Sequence, residues 1–134
     1  MSDVPQPTSR FKSKSGFKRI IGAFFYSMEG FKTAWRGEHA FRQEIAVVVV
    51  ATLIALALPV TALQKLMLIG VFVLVLIVEL LNSAIEAIVD RVSLEPNPLS
   101  KNAKDFGSAA VLLTFTLAAA TWVVITYPLL RALW

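Results

Sequence analysis

Three stretches of this 134-residue chain, residues 45–63, 66–89 and 107–130, are long and apolar enough to cross a bilayer. A hydrocarbon core about 30 Å thick requires roughly 20 apolar residues in helical conformation. The composition agrees, because only 16% of the residues are charged, whereas about 25% are charged in a soluble domain. We therefore predict one all-α membrane domain over residues 16–134, with three transmembrane helices.

The segment before the first span divides into two parts. Residues 1–15 are rich in Ser, Pro and Lys and lack the apolar core of a signal peptide, so they are predicted to form a disordered leader. In residues 16–37, aromatic and aliphatic residues recur every three or four positions between basic ones, a pattern typical of a helix lying in the membrane interface. Gly22 and Gly30 leave open the alternative of two shorter helices.

The basic residues are distributed unevenly about the three spans. Of the 13 Lys and Arg residues, only Lys65 and Arg131 lie on one side of the predicted membrane. The positive-inside rule therefore places the N-terminus and the 90–105 loop in the cytoplasm. A membrane surface accounts for these charges, so no nucleic-acid partner is predicted. The absence of cysteine from the sequence excludes disulfides and thiolate metal sites.

Polar residues recur at helical spacing in and directly after the second span. Measured from Glu79, the residues Asn82, Ser83, Glu86 and Asp90 follow at offsets that share one helix face. A carboxylate in a transmembrane helix costs about 2.5–3.5 kcal/mol on insertion scales and usually has a function. Polar contacts between helices are the structural alternative. They could explain Asn82 and Ser83, but they explain two glutamates poorly.

The chemistry of this row of acids favours a ligand that is partly lipid and partly water-soluble. Asp90 is expected at the cytoplasmic mouth of the span, and Glu79 lies roughly 16 Å deeper by helical rise. Oxygen ligands favour Mg²⁺, which usually arrives bound to phosphates. Lys104 and Asp105 are expected at the start of the third span, where the N–H groups of a helix terminus would face an anion.

Two more acids and the single histidine precede the first span. Glu38 is the better candidate for the site. Glu44 is either a second site residue or a solvated acid at the start of a helix, paired with Arg42 or another base. His39 could act in acid–base chemistry, but its position favours a surface residue at the level of the lipid headgroups.

Two sequence runs resemble a known family. The run VELLNSAIEAIVDR (78–91), followed by LSKNAKDFGSAAVL (99–112), is similar to the signature of bacterial integral-membrane diacylglycerol kinases. The resemblance covers about residues 17–125. It includes four shorter pieces at matching separations, RII (19–21), YS (26–27), AFRQE (40–44) and TW (121–122).

This resemblance implies an ATP-dependent kinase that phosphorylates the hydroxyl of diacylglycerol in the bacterial inner membrane. It also implies a homotrimer of three-span protomers with sites between subunits. On matching positions, Glu79 would be the general base, and Glu38 and Glu86 would hold Mg²⁺ with ATP. The remaining nucleotide positions would be Arg19, Tyr26, Asn82, Asp90, Lys104 and Asp105. The lipid positions, in addition to Glu79, would be Trp35, Gln43 and Ser108.

The chain also departs from the family pattern, and other functions remain open. Pro96 and Asn97 replace an aromatic residue and a histidine of the best-known members, which leaves the contacts to adenine undefined. An undecaprenol kinase of the same fold is one alternative, although the pieces SAIE and GSAAV resemble the diacylglycerol branch. A proton or ion pathway and a purely structural membrane oligomer are the non-enzymatic alternatives.

Overall fold

The computed structural model describes residues 16–132, and it folds them into four helices. These are α1 (Gly16–Gly37), α2 (His39–Ala57), α3 (Ala62–Val92) and α4 (Pro98–Arg131). Helices α2, α3 and α4 are each long and apolar enough to cross a membrane. The predicted all-α architecture with three such helices is therefore confirmed, while the predicted leader lies outside the described residues.

Helix α1 is continuous, so the alternative of two shorter helices is not realised. Most of its apolar side chains are exposed, which suits a helix that rests on a lipid surface. It contacts the rest of the chain through α2, where Phe31 stacks on Phe41 with ring centroids 6.4 Å apart. The chain bends at Glu38, whose extended backbone (φ −106°, ψ 114°) separates α1 from α2.

A tight turn joins α2 to α3. Helix α2 ends at Ala57, two residues before Pro59, and Thr61 caps α3. The backbone N–H of Gln64 donates to the Thr61 hydroxyl at 3.3 Å, and the Thr61 N–H donates to the Gln64 side chain at 2.9 Å. This reciprocal capping box satisfies two backbone donors that a helix start leaves unpaired. The turn thereby orients the two helices as a hairpin.

The connection between α3 and α4 is also short, and α4 begins earlier than the apolar segment suggests. The Asn97 side chain accepts the N–H of Leu99 at 2.8 Å, and Pro98 occupies the first helical position. The expected helix start at Lys104 and Asp105 is therefore wrong. At those positions the backbone N–H groups lie inside α4 and are not aimed at an anion.

Helix α3 is the central helix, with α2 and α4 packed against it. Its buried residues Leu68, Val75, Glu79 and Asn82 fall on one stripe. At the apolar end, Leu68 packs with Ala55 and Ile125. The indole of Trp122 donates to the Leu68 carbonyl at 3.0 Å and meets Phe72 edge-on. Packing thus fixes the apolar end of the stripe, while its other end carries the polar residues.

Helices α3 and α4 are longer than a bilayer requires. Their 31 and 34 residues correspond to roughly 46 and 51 Å, against a hydrocarbon core of about 30 Å. Pro128 lies inside α4 and does not end it, because the helix continues to Arg131. The excess length lets the hairpin project beyond the membrane at the end that carries Asp90 and Lys104.

Candidate active site

The deepest polar group of the site is Glu79, on the buried stripe of α3. Its side chain is only 7% exposed. It lies close enough to Glu86 and Glu38 to interact electrostatically with both carboxylates. Glu86 follows Glu79 on α3 by about two helical turns, and Glu38 comes from the bend before α2. Glu44 of α2 also interacts electrostatically with Glu79. The fold therefore gathers four of the acids that the sequence singled out, from α3 and from residues 38–44.

Asn82 links this group to α4. Its side-chain N–H donates to Glu86 Oε1 at 3.1 Å. Its side-chain oxygen is buried and has no hydrogen-bond partner among the described residues. That oxygen lies against Gly107, where a Cβ atom would be only 1.9 Å away. Gly107 was not among the predicted site residues. The only sequence signal for it was a glycine directly after the AKDF segment.

The outer end of the site carries two ion pairs. Lys104 of α4 donates to Asp90 of α3 at 2.6 Å, and Lys101 pairs with Asp105. Lys104 precedes the apolar segment of α4, and the hydrogen bond that its amine donates to Asp90 raises the pKa of the amine. The amine is therefore protonated at neutral pH. The same residues line an open groove beside the 93–97 connection, so the predicted nucleotide positions Asp90, Lys104 and Asp105 share one surface.

Glu44 does not behave as a solvated acid. Its side chain is 8% exposed, and Oε2 has no hydrogen-bond partner within the described part of the chain. Arg42, the expected partner, instead donates to the Trp35 carbonyl and to Nδ1 of His39, both at 2.7 Å. The alternative in which Glu44 is a solvated acid paired with Arg42 is therefore wrong, because α2 turns Glu44 inward. It lines a small gap with Val47, Val48, Phe72, Val75 and Phe115.

The other predicted positions lie on the outside of this single chain. The side chains of Arg19, Tyr26, Trp35, Gln43 and Ser108 are exposed, so none is buried beside Glu79. A groove between α1 and α3 runs past Glu38. It is walled largely by small residues, among them Gly30, Ser83 and Ala87. The structure thus unites the α3–α4 part of the predicted site and leaves the α1 part facing outward.

The donor set suits a hard cation that arrives with a nucleotide. Within residues 16–132, no three His, Cys, Asp or Glu side chains form a ready metal cage. Mg²⁺ does not need such a cage, because one or two carboxylates suffice when phosphates and waters supply the other ligands. Glu38 and Glu86 provide two carboxylates within electrostatic range of Glu79. The residues therefore fit Mg²⁺ bound together with a triphosphate.

Comparison with known proteins identifies the family. The family model described as "Prokaryotic diacylglycerol kinase" matches residues 25–126. A diacylglycerol kinase of Pseudomonas aeruginosa is 54% identical over 117 residues, covering 87% of this chain and 95% of that protein. One of Escherichia coli K12 is 50% identical over 113 residues, covering 84% and 93%. One of Helicobacter pylori J99 is 40% identical over 122 residues, covering 91% and 92%. These matches cover most of the chain, and they show that the chain belongs to the prokaryotic diacylglycerol kinase family.

Proposed function

We propose that this protein transfers the γ-phosphoryl group of ATP to the free hydroxyl of diacylglycerol, giving phosphatidic acid. Family membership supports the lipid kinase class, and the relatives compared above are diacylglycerol kinases. One observation carries the proposal, namely the buried carboxylate of Glu79 at the lipid end of the polar stripe on α3. The distribution of basic residues supports a site at the cytoplasmic face of the bacterial inner membrane.

Glu79 is the general base of the proposed reaction. The diacylglycerol oxygen attacks the γ-phosphorus, and its O–H bond breaks as the new P–O bond forms. The proton passes to a carboxylate oxygen of Glu79 while the bond from the γ-phosphorus to the bridging oxygen breaks, releasing ADP. A carboxylate positioned beside the lipid hydroxyl can take its proton as a general base, and the buried Glu79 is the acid at the lipid end of the stripe.

The nucleotide binds at the outer end of the stripe. Mg²⁺, held by Glu38 and Glu86 when it is bound with ATP, supplies neutralisation of the triphosphate charge. Asn82 holds the Glu86 side chain through the 3.1 Å hydrogen bond. The protonated amine of Lys104 reaches the groove. There it can donate to a phosphate oxygen in place of the Asp90 carboxylate. Asp105, Arg19 and Tyr26 complete the proposed nucleotide contacts.

Self-association completes the site in this proposal. Several proposed contact residues are exposed on the single chain. They are the lipid contacts Trp35, Gln43 and Ser108 and the nucleotide contact Arg19. A homotrimer would place such surfaces of one protomer against Glu79 and Glu86 of the next. It would also shield the polar face of α3 from lipid, which three helices alone cannot surround. The lipid then enters from the bilayer and ATP from the cytoplasm.

Replacing Glu79 by Gln tests the proposal directly. We expect the wild-type protein, in mixed micelles with Mg²⁺ and ATP, to phosphorylate diacylglycerol and to act weakly on undecaprenol. Glu79→Gln should lower kcat at least ~100-fold, because general-base catalysis contributes about 10²–10⁴-fold. Glu29→Gln is the matched control, since Glu29 is an exposed acid of α1 that pairs with Lys32 on the same helix.

Each other outcome contradicts a defined part of the proposal. Preferential phosphorylation of undecaprenol would contradict diacylglycerol as the substrate and would make undecaprenol the substrate of the same site. Full turnover in Glu79→Gln would remove Glu79 from the role of general base. A well-assembled wild-type protein that phosphorylates neither lipid would overturn the kinase assignment. Measurement of proton flux in vesicles would then test the ion-pathway alternative.

A further inference from the structure

Gly107 is a buried glycine whose backbone does not require glycine. It lies inside α4 with ordinary helical geometry, since no described glycine has a positive φ. A helical glycine costs about 1 kcal/mol relative to alanine. At Gly107, however, a Cβ atom would lie 1.9 Å from the Asn82 side-chain oxygen and 3.0 Å from its side-chain carbon. The residue is small because Asn82 of the neighbouring helix occupies the space.

The contact with Gly107 also fixes which way the Asn82 amide points. The amide nitrogen donates to Glu86 Oε1, and a reversed amide would place its oxygen against the carboxylate. The amide oxygen therefore faces α4. It is buried there without a hydrogen-bond partner in the described chain, so the Cα–H groups of Gly107 are its neighbours. Gly107 leaves room for the only amide orientation that also holds Glu86.

The helices have little freedom to separate at this contact. Lys104, three residues before Gly107, forms a 2.6 Å salt bridge with Asp90 of α3. Asn82 is itself only 9% exposed, so its side chain has no open space to move into. An added methyl group must therefore displace the Asn82 side chain, which carries the hydrogen bond to Glu86.

We propose that Gly107 is a positioning residue for the metal–nucleotide site, acting through the Asn82 amide on the Glu86 carboxylate. The inference rests on the proposed function, in which Glu86 holds Mg²⁺ with ATP. Loss of a hydrogen bond to a metal ligand typically lowers metal affinity or activity 10–100-fold. Gly107→Ala is therefore expected to weaken metal binding by roughly that factor, although Gly107 touches neither metal nor nucleotide.

The test compares Gly107→Ala, Asn82→Ala and the double variant in detergent-solubilised full-length protein. Affinity for Mn²⁺, in the presence of a non-hydrolysable ATP analogue, is measured by electron paramagnetic resonance, and kinase activity is followed against Mg²⁺ concentration. Gly70→Ala is the matched control, because a Cβ at Gly70 meets nothing within 4 Å. Denaturant unfolding of each variant reports whether the fold is retained.

We expect both single variants to weaken Mn²⁺ binding about 10–100-fold, and the Mg²⁺ requirement of the kinase to rise in parallel. The double variant should be no worse than Asn82→Ala alone, because the added methyl group then has no amide to displace. Gly70→Ala should bind as the wild type does. Wild-type affinity in Gly107→Ala, or an undiminished effect of Gly107→Ala in the Asn82→Ala background, would overturn the proposal.

Two further outcomes keep the test decisive. If Gly107→Ala does not fold, Asn82→Ala still decides, since wild-type Mn²⁺ affinity without the amide would show that the amide does not position Glu86. Failure of the proposed function is recognised separately, in the wild type. A wild-type protein that binds Mn²⁺ with the nucleotide but phosphorylates no lipid contradicts the kinase assignment and leaves the role of Gly107 intact.

Discussion

At the scale of single residues, Glu44 and Glu79 are two buried acids in different surroundings. Glu79 interacts electrostatically with the carboxylates of Glu86 and Glu38 and belongs to the polar stripe, and Glu44 lies within electrostatic range of Glu79. Glu44 faces an apolar gap walled by valine and phenylalanine side chains, and one of its oxygens has no hydrogen-bond partner within residues 16–132. Burying a carboxyl group without a hydrogen-bond partner costs free energy, and the neighbouring Glu79 adds to that cost when both groups are ionised. The Glu44 side chain is therefore retained at a cost to stability.

Substitution of Glu44 by Gln should leave the fold intact. The amide keeps the shape of the side chain and cannot ionise, so we expect the free energy of unfolding to stay within about 1 kcal/mol of wild type or to rise. Glu44→Ala should lower it by about 1–3 kcal/mol, because the gap beside Val75 and Phe115 enlarges. Denaturation by sodium dodecyl sulfate in mixed micelles measures both, with Glu29→Gln as the exposed control. A loss above about 2 kcal/mol in Glu44→Gln would contradict this account.

At the scale of elements, the α3–α4 hairpin is fixed at both ends. Lys104 and Asp90 join the helices near the 93–97 connection. At the opposite end of the hairpin, the Trp122 indole donates to the Leu68 carbonyl. Between them, Gly107 and Asn82 set how closely the helices approach. The polar stripe is therefore held on a rigid pair of helices and not on a loop. Sites built on helices hold their side chains more precisely than sites built on loops.

Trp122→Phe isolates what the hydrogen bond from the Trp122 indole to the Leu68 carbonyl contributes to stability. Phenylalanine can retain the edge-on contact with Phe72 but cannot donate to Leu68. We expect the free energy of unfolding to fall by about 1 kcal/mol, and kinase activity under stabilising conditions to be unchanged. Trp122→Leu, which also removes the ring contact, should be less stable than Trp122→Phe. Equal stability of the wild type and Trp122→Phe would show that the hydrogen bond contributes nothing net.

At the scale of the whole molecule, one chain does not enclose its own site. The α1 residues proposed to meet the nucleotide are exposed, and α1 packs mainly on α2. Extended apolar surfaces on α2, α3 and α4 are also exposed, as expected for helices that face lipid or other copies. Lipid chains can cover the apolar surfaces but cannot form hydrogen bonds or ion pairs with the polar side chains of α3.

We expect the protein to be a homotrimer in a mild detergent. Native mass spectrometry should give three times the chain mass of 14.7 kDa, and cross-linking in native membranes should end at the same species. The reason is that self-association is the simplest way to cover the partly exposed Glu86 and to supply the exposed site residues, whereas Glu79 is already buried within one chain. An active, purely monomeric species would contradict this prediction. Dimers or tetramers with full activity would correct only the number of subunits.

The prediction of three membrane-crossing helices from the sequence is confirmed, although the first predicted span, 45–63, lies later in the chain than α2. The three membrane-crossing helices, and the common face of Glu79, Asn82 and Glu86, follow from local periodicity. The start of α4 was misplaced because apolar length was used to locate it, whereas Asn97 and Pro98 set it through capping. The resemblance to the kinase family, carried by residues 78–112, is confirmed by the matches to its members. The individual site roles stay predictions.

The sequence by itself determined the helices, their membrane character and the row of acids on α3, because each depends on residues within a few turns of one another. Only the tertiary structure decided that Glu44 is buried and that Lys104 pairs with Asp90. It alone decided that Gly107 accommodates Asn82. These contacts depend on the rotation and separation of packed helices, which ångström-scale fit between side chains sets and which periodicity along one chain does not encode.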